Sequence, residues 1–141
     1  MKRFFNTYAG RYTIFGLCLF LIVIGFSVVE GHFRIGVTFS DTEIAVTSNR
    51  YNMQVEYDLI ASAELVEMPD RGEHIDGKDE TSIRYGAWNN EVWGDYVVVA
   101  VPNATNCVVM HLHDGRTFVF NSRSNDYTAE LFAQLQSHLA G

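Results

Sequence analysis

Residues 107–121 read CVVMHLHDGRTFVFN, and this stretch decides the fold class. Cys107 to His113 is rich in β-branched and apolar residues, and Arg116 to Asn121 alternates in the same way. Between them stands Asp114-Gly115, a pair whose residues tolerate the positive φ of tight hairpin turns. The stretch therefore predicts two antiparallel strands joined by a short turn. Upstream, Tyr96 to Val101 (YVVVAV) predicts a buried strand, separated from the hairpin by the turn-forming Pro102-Asn103-Ala104-Thr105-Asn106.

The same period of two extends toward the N-terminus. Tyr51-Asn52-Met53-Gln54-Val55-Glu56-Tyr57 alternates strictly and sets Tyr51, Met53, Val55 and Tyr57 on one face. Glu43 to Thr47 is a further strand, ended by Ser48-Asn49-Arg50, and Ile60 to Met68 alternates up to Pro69. Pro69 to Glu80 is polar and acidic, with Gly72 and Gly77, and reads as a surface loop. Thr81 to Trp88 reads as a short strand and Asn89-Asn90-Glu91 as a turn. Beyond the hairpin the period changes to that of a helix. Tyr127, Leu131, Phe132, Leu135 and Leu139 form one stripe, with Asn125 or Asp126 as the cap. The sum is a mainly β domain of about seven strands, closed by an amphipathic C-terminal helix.

Several of these segments together resemble the bacterial pleckstrin-homology (PH) domain families. Val55-Glu56-Tyr57-Asp58-Leu59-Ile60 followed by Ala63-Glu64-Leu65-Val66-Glu67 is similar to the family's second and third strands around their turn. His113 to Asn121 resembles the last hairpin, and Thr128-Ala129-Glu130-Leu131-Phe132 the closing helix. The resemblance covers about residues 38 to 140, and an N-terminal membrane helix ahead of such a domain is common in these families. It implies a seven-stranded bent sheet pair or barrel capped by a helix, with a binding or scaffold role. Phosphoinositide headgroups, ligands of such domains elsewhere, need clustered Lys and Arg. The first turn offers only Arg50, among Asp41, Glu43, Glu56 and Asp58, so the charge argues against that ligand.

The chain of 141 residues carries a second signal. Thr13 to Val29 is an uncharged apolar run of 17 residues, long enough for roughly 25 Å of helix. A bilayer core is about 30 Å thick. Tyr8 and Tyr12 suit the headgroup level, and Lys2, Arg3 and Arg11 flank the run. A cleaved signal peptide would need small residues at its cleavage site, and Ser27 to His32 has no such pattern. Leu17 is too bulky to precede a lipidated Cys18, and a core helix would have a polar face. The reading is an uncleaved single-pass anchor in the cell membrane. It divides the chain into a basic and aromatic segment (1–12), a transmembrane helix (13–29), a linker (30–37) and a PH-like domain (38–141). Basic residues before the run place the domain outside the cytoplasm.

Sixteen of the 17 acidic residues but only seven of the ten basic ones follow Gly31, leaving about −9 on the domain. That excludes a nucleic-acid partner. Two cysteines, Cys18 and Cys107, make no disulfide framework. His111 and His113, with Cys107 on the same strand face, could begin a metal site, and Glu64, Glu67, Asp70, Glu73, Asp76, Asp79 and Glu80 are abundant oxygen donors. The latter lack the spacing of a Ca²⁺ loop, and no nucleophile elbow, P-loop or dinucleotide fingerprint is present. No cofactor and no catalytic residue is expected. The alternative is a metal-dependent or enzymatic accessory domain using the acidic loop or the His111/His113 face. A protein partner fits best at Tyr85, Trp88, Trp93 and Tyr96, since Trp and Tyr anchor interfaces. The competing reading packs these four into the core.

Overall fold

A computed structural model describes residues 18–22, 35–80 and 82–141. Residues 18–22 are helical with exposed side chains. The rest of the expected anchor 13–29, and the segment 1–12, lie outside the described residues. Among the described residues no helix is long and apolar enough to cross a membrane.

Residues Phe33–Gly141 form one compact unit. Its described residues build nine strands: β1 (Gly36–Phe39), β2 (Glu43–Thr47), β3 (Asn52–Glu56), β4 (Ile60–Glu67), β5 (Glu73–Asp79), β6 (Arg84–Asn90), β7 (Gly94–Ala100), β8 (Asn106–Leu112) and β9 (Thr117–Phe120). One helix follows, α1 (Asn125–Leu139). The mainly β class with a closing helix matches the expectation, whereas the strand count exceeds the seven expected. Two additions explain the difference. β1 starts at Gly36, inside the expected linker 30–37, and pairs with β2. The acidic stretch read as a loop holds β5, which pairs with β6 from Glu73 to Asp79.

β5 escapes sequence reading because it sits at a sheet edge with nearly every side chain in solvent, so it has no apolar period. A glycine pair lets it lie close against β6. Gly77 and Gly86 face each other at φ +92° and +110°, and a Cβ on either would collide with the backbone of the other strand.

β1-β2-β3 is an antiparallel meander. The larger sheet has the order β4-β8-β9-β7-β6-β5. Here the expected hairpin appears as β8 and β9, with Gly115 at φ +91° in the turn while Asp114 keeps a negative φ. β9 then slots beside β7 in parallel, Val98 opposite Val119. The first core lies between the sheets. Ile44, Val46, Met53 and Val55 meet Val99, Val108, Met110 and Phe120, as the alternation around Tyr51–Tyr57 predicts. Leu131 and Leu135 of α1 enter the same core, with Tyr127, Phe132 and Leu139 packed at its margin. The helix cap is Ser124, whose Oγ accepts from the N–H of Tyr127 at 3.2 Å, not Asn125 or Asp126.

The opposite face of the large sheet is also buried. Trp88, Tyr96, Val98, Cys107, Val109 and Val119 form a second core there. The link 68–72 joins β4 to β5, the two edges of this sheet. It has six Cα–Cα steps, a reach of at most roughly 22 Å. A flat sheet of six strands is about 24 Å across. The sheet must therefore curl around the link, and the bonds agree. The Tyr96 hydroxyl donates to the carbonyl of Arg71 (2.8 Å), and Asn90 Nδ2 donates to that of Asp70 (3.1 Å).

The helix test follows from this packing. Leu131→Ala should destabilise the 33–141 fragment by about 2–5 kcal/mol, through lost transfer energy and a cavity. Glu130, exposed on the other side of α1, should tolerate Ala within about 0.5 kcal/mol. Urea melts compare the two, and equal midpoints would remove α1 from the core.

Candidate functional site: the mouth of the curled sheet

The ends of β4, β5, β6 and β7, with the loop from β7 to β8 and Asn121 after β9, meet at one rim of the curl and enclose a cleft of about 330 Å³. Met68, Ala100, Val101, Pro102 and Ala104 supply apolar wall, and Glu67, Asp79, Glu80 and Arg84 supply charge. Mouths of curled β-sheets are common ligand positions because strand ends place side chains around a fixed hollow.

Two amides hold the rim. Asn121, 1% exposed, accepts from the N–H of Val101 through Oδ1 (2.7 Å) and donates from Nδ2 to the carbonyls of Val101 (3.3 Å) and Ala104 (3.1 Å). It follows directly from β9, so the central strand fixes the loop between β7 and β8. Asn125 does the same from the start of α1. Its Oδ1 accepts from the N–H groups of Thr105 and Asn106 (2.9 Å each), and its Nδ2 donates to Thr105 Oγ1 (2.9 Å). The wall of the cleft is thus held by side chains that satisfy otherwise orphaned backbone groups.

Asp79 is the electrostatic centre of the rim. Its carboxylate accepts from Arg84 Nε (3.2 Å) and pairs with Arg71. Both guanidiniums lie over the Trp88 ring, Arg84 at 5.4 Å and Arg71 at 5.8 Å from its centroid. The His74 ring packs at 4.7 Å from the same indole. Trp88 is only 4% exposed, and its Nε1–H is buried without a partner among the described residues. Among the described residues, neither Glu67 nor Glu80 forms an ion pair.

The four aromatics expected to bind a partner are divided between two faces. Trp88, Trp93 and Tyr96 gather at the second core, with Trp93 and Tyr96 edge to face at 5.0 Å. Tyr85 points the other way and stacks on Tyr51 at 6.1 Å. They stand near one another in sequence, but successive strand residues alternate faces. The turn expected at Asn89-Asn90-Glu91 falls later: β6 runs to Asn90, whose Oδ1 accepts from the N–H groups of Val92 (3.1 Å) and Trp93 (2.7 Å).

His111 is held between Glu64 Oε1 and Thr117 Oγ1, each at 3.2 Å, whereas His113 follows β8 in the exposed turn. No group of three or more His, Cys, Asp or Glu is placed to hold a metal ion among the described residues. Cys107 is wholly buried, and burial, then the nearby Glu64 carboxylate, pushes its thiol up to about 12. Asp114, exposed in the hairpin turn, is held below the usual carboxylate range, first by the N–H of Arg116 and then by that residue's guanidinium. The cleft itself was not legible from spacing, because its residues come from 67 to 121 and meet only after the sheet curls. The signal present in the sequence was the run of carboxylates. No known protein family, curated protein or solved structure matches the chain.

Cys107 gives a pH prediction. A thiol whose folded pKa stands above its ordinary value of 9.0 contributes stability that is complete below about pH 9 and is lost as pH rises toward about 12. Tyr96, raised chiefly by burial, acts in the same direction. Urea midpoints of the 33–141 fragment should therefore fall between about pH 9 and 12, and Cys107→Ala should fall less because the contributions of Tyr96 and Tyr57 remain while that of the thiol is gone. Equal slopes would refute the assignment to Cys107.

Proposed function

We propose that the chain is a single-pass, membrane-anchored interaction module, PH-like in the broad sense of a bent β-body closed by a C-terminal helix, working without catalysis. The observation that carries this reading is the mouth of the curled sheet, a hollow ringed by strand ends and held by Asn121 and Asn125. Asn121, Asn125 and Asp79 hold its loops and strands in place. The uncharged run 13–29 supports the anchor, and the basic residues before it support a domain outside the cytoplasm. The strongly acidic domain favours a protein partner over nucleic acid or an anionic leaflet.

Lys78 provides the test. It is exposed on β5, beside Asp79 of the mouth, and Lys2 is the only other lysine in the chain. A membrane-impermeant amine cross-linker applied to intact cells or spheroplasts should give a discrete adduct that disappears in Lys78→Arg. Absence of any discrete adduct, with permeant reagent as well, would overturn the interaction reading. An adduct obtained only with the permeant reagent would reverse the topology. Stoichiometric zinc retained by the purified chain would favour the metal-dependent alternative instead.

A further inference from the structure

We infer that Asp76-Gly77, on the edge strand β5, is a site of self-modification, at which the Gly77 nitrogen closes on the Asp76 carboxyl and converts the residue to isoaspartate. This does not rest on the reading of the mouth as an interaction site.

The chemistry needs the nitrogen of the next residue to reach the side-chain carboxyl, and a glycine there because it has no Cβ to block the approach. The chain holds two such pairs, Asp76-Gly77 and Asp114-Gly115, which local sequence makes equal. The fold separates them. Gly77 turns its N–H onto the carboxylate of Asp76 itself, 2.8 Å from Oδ1. The nitrogen and the carboxyl that must combine are therefore already in contact, the condition under which proximity accelerates a reaction most.

The surroundings hold that arrangement. Gly77 has φ +92°, and a Cβ there would lie 2.1 Å from the Tyr85 carbonyl oxygen. Its own carbonyl accepts from His74 Nε2 at 2.8 Å. Ile75, just before the pair, is skipped by the ladder, since His74 stands opposite Trp88 and Asp76 opposite Ala87. Asp76 is exposed and forms no ion pair among the described residues.

Asp114-Gly115 has the opposite arrangement. The Gly115 N–H donates to the Leu112 carbonyl (3.0 Å). The Asp114 carboxylate is taken on both oxygens by Arg116, Oδ1 by its N–H (3.0 Å) and Oδ2 by its Nε (2.7 Å). Those bonds also favour the ionised carboxylate, whereas the neutral acid is the form that reacts, because its hydroxyl can leave as water.

The step balances without any oxidant or co-reactant. Gly77 N bonds to Cγ of Asp76, and the amide proton and the carboxyl hydroxyl leave together as water, giving a succinimide. Water then opens the ring. Opening at the main-chain carbonyl leaves the backbone running through Cβ and Cγ, longer by one carbon, and opening at the side-chain carbonyl restores aspartate. The extra carbon falls where β5 lies against the Gly86 backbone. It moves Lys78 and Asp79 out of register with Tyr85 and Arg84, and with them the carboxylate that joins Arg84 to Arg71. Ageing of the chain therefore loosens this rim first.

The experiment stores the full-length protein, in non-ionic detergent, in mildly acidic buffer made with heavy-oxygen water. Trypsin in ordinary water then releases Asp76 in the peptide 72–78 and Asp114 in the peptide 85–116. Each succinimide that forms and reopens takes up one heavy oxygen. The expected result is that 72–78 separates into two forms of equal mass, one identified as isoaspartate by electron-transfer fragmentation. Uptake at Asp76 should be at least about tenfold faster than at Asp114, a modest share of what proximity supplies. Unfolding in urea should bring the two rates together. Asp76→Glu, whose longer side chain closes such a ring far more slowly, should abolish uptake in 72–78 and leave that at Asp114 unchanged. Equal uptake at the two aspartates of the folded protein would overturn the proposal. So would a rate at Asp76 that rises in urea, a preference that persists there, or uptake in 72–78 that survives Asp76→Glu. The comparison of folded and unfolded chain uses no variant, so it stands whatever the substitution does to folding.

Discussion

The placement of β9 between β8 and β7 is the constraint on which the rest of the domain depends. This four-residue strand pairs antiparallel with one neighbour and parallel with the other. Phe118 and Phe120 face the first core, and Val119 faces the second. Each face is buried, so a one-residue slip would exchange phenylalanine and valine between two cores of different shape. Asn121 continues the strand and fastens the neighbouring loop with its amide. Two cores and one rim therefore share a single register.

Curling follows from the short link between β4 and β5. It brings the sheet edges near enough for a link of five residues and gives the concave face a cover of backbone. That cover has polar groups of its own, and side chains of the sheet meet them: Tyr96 for Arg71, and Asn90 for Asp70. Burying these carbonyls without partners would cost about 1–3 kcal/mol each. The buried tyrosine and asparagine on an otherwise apolar face are thus explained by the link. The exposed ion pairs add little by comparison, since solvent screens them; Arg71 and Arg116 are both more than half exposed. The Nε1–H of Trp88, without a partner among the described residues, stands out against this background of satisfied groups.

How much of this was legible in the sequence depends on whether an element's pattern is local. The hairpin at Asp114-Gly115, the alternation from Tyr51 to Tyr57 and the stripe of Leu131 and Leu135 are local, and each leads to the right element. Cys107 and His111 do share a face, as their spacing of four on a strand requires. β5 was hidden because an edge strand exposed on nearly all sides has the composition of a loop. Its charges, its glycine and its register shift between His74 and Asp76 are devices that keep an open edge from pairing with another chain. The parallel insertion of β9 was hidden for a different reason. Nothing in Arg116 to Asn121 distinguishes a strand at the edge from one in the centre, apart from burial on both faces, which depends on distant partners. The mouth shares this limitation, since the residues that line it, from Glu67 to Asn121, meet only through the curl.

The late position of β9 in the chain has a consequence for biosynthesis. Until residue 120 has left the ribosome, β7 and β8 have no common neighbour, and the large sheet exists only as two pieces, β4 with β8 and β5 with β6 and β7. Each piece presents an open edge and two apolar faces. Neither core can close before β9 is available, so the domain gains its stability nearly all at once, when that strand pairs. The growing domain therefore needs shelter from association until β9 emerges, and a message ending before Thr117 would yield a product prone to aggregation or degradation and not a smaller working domain.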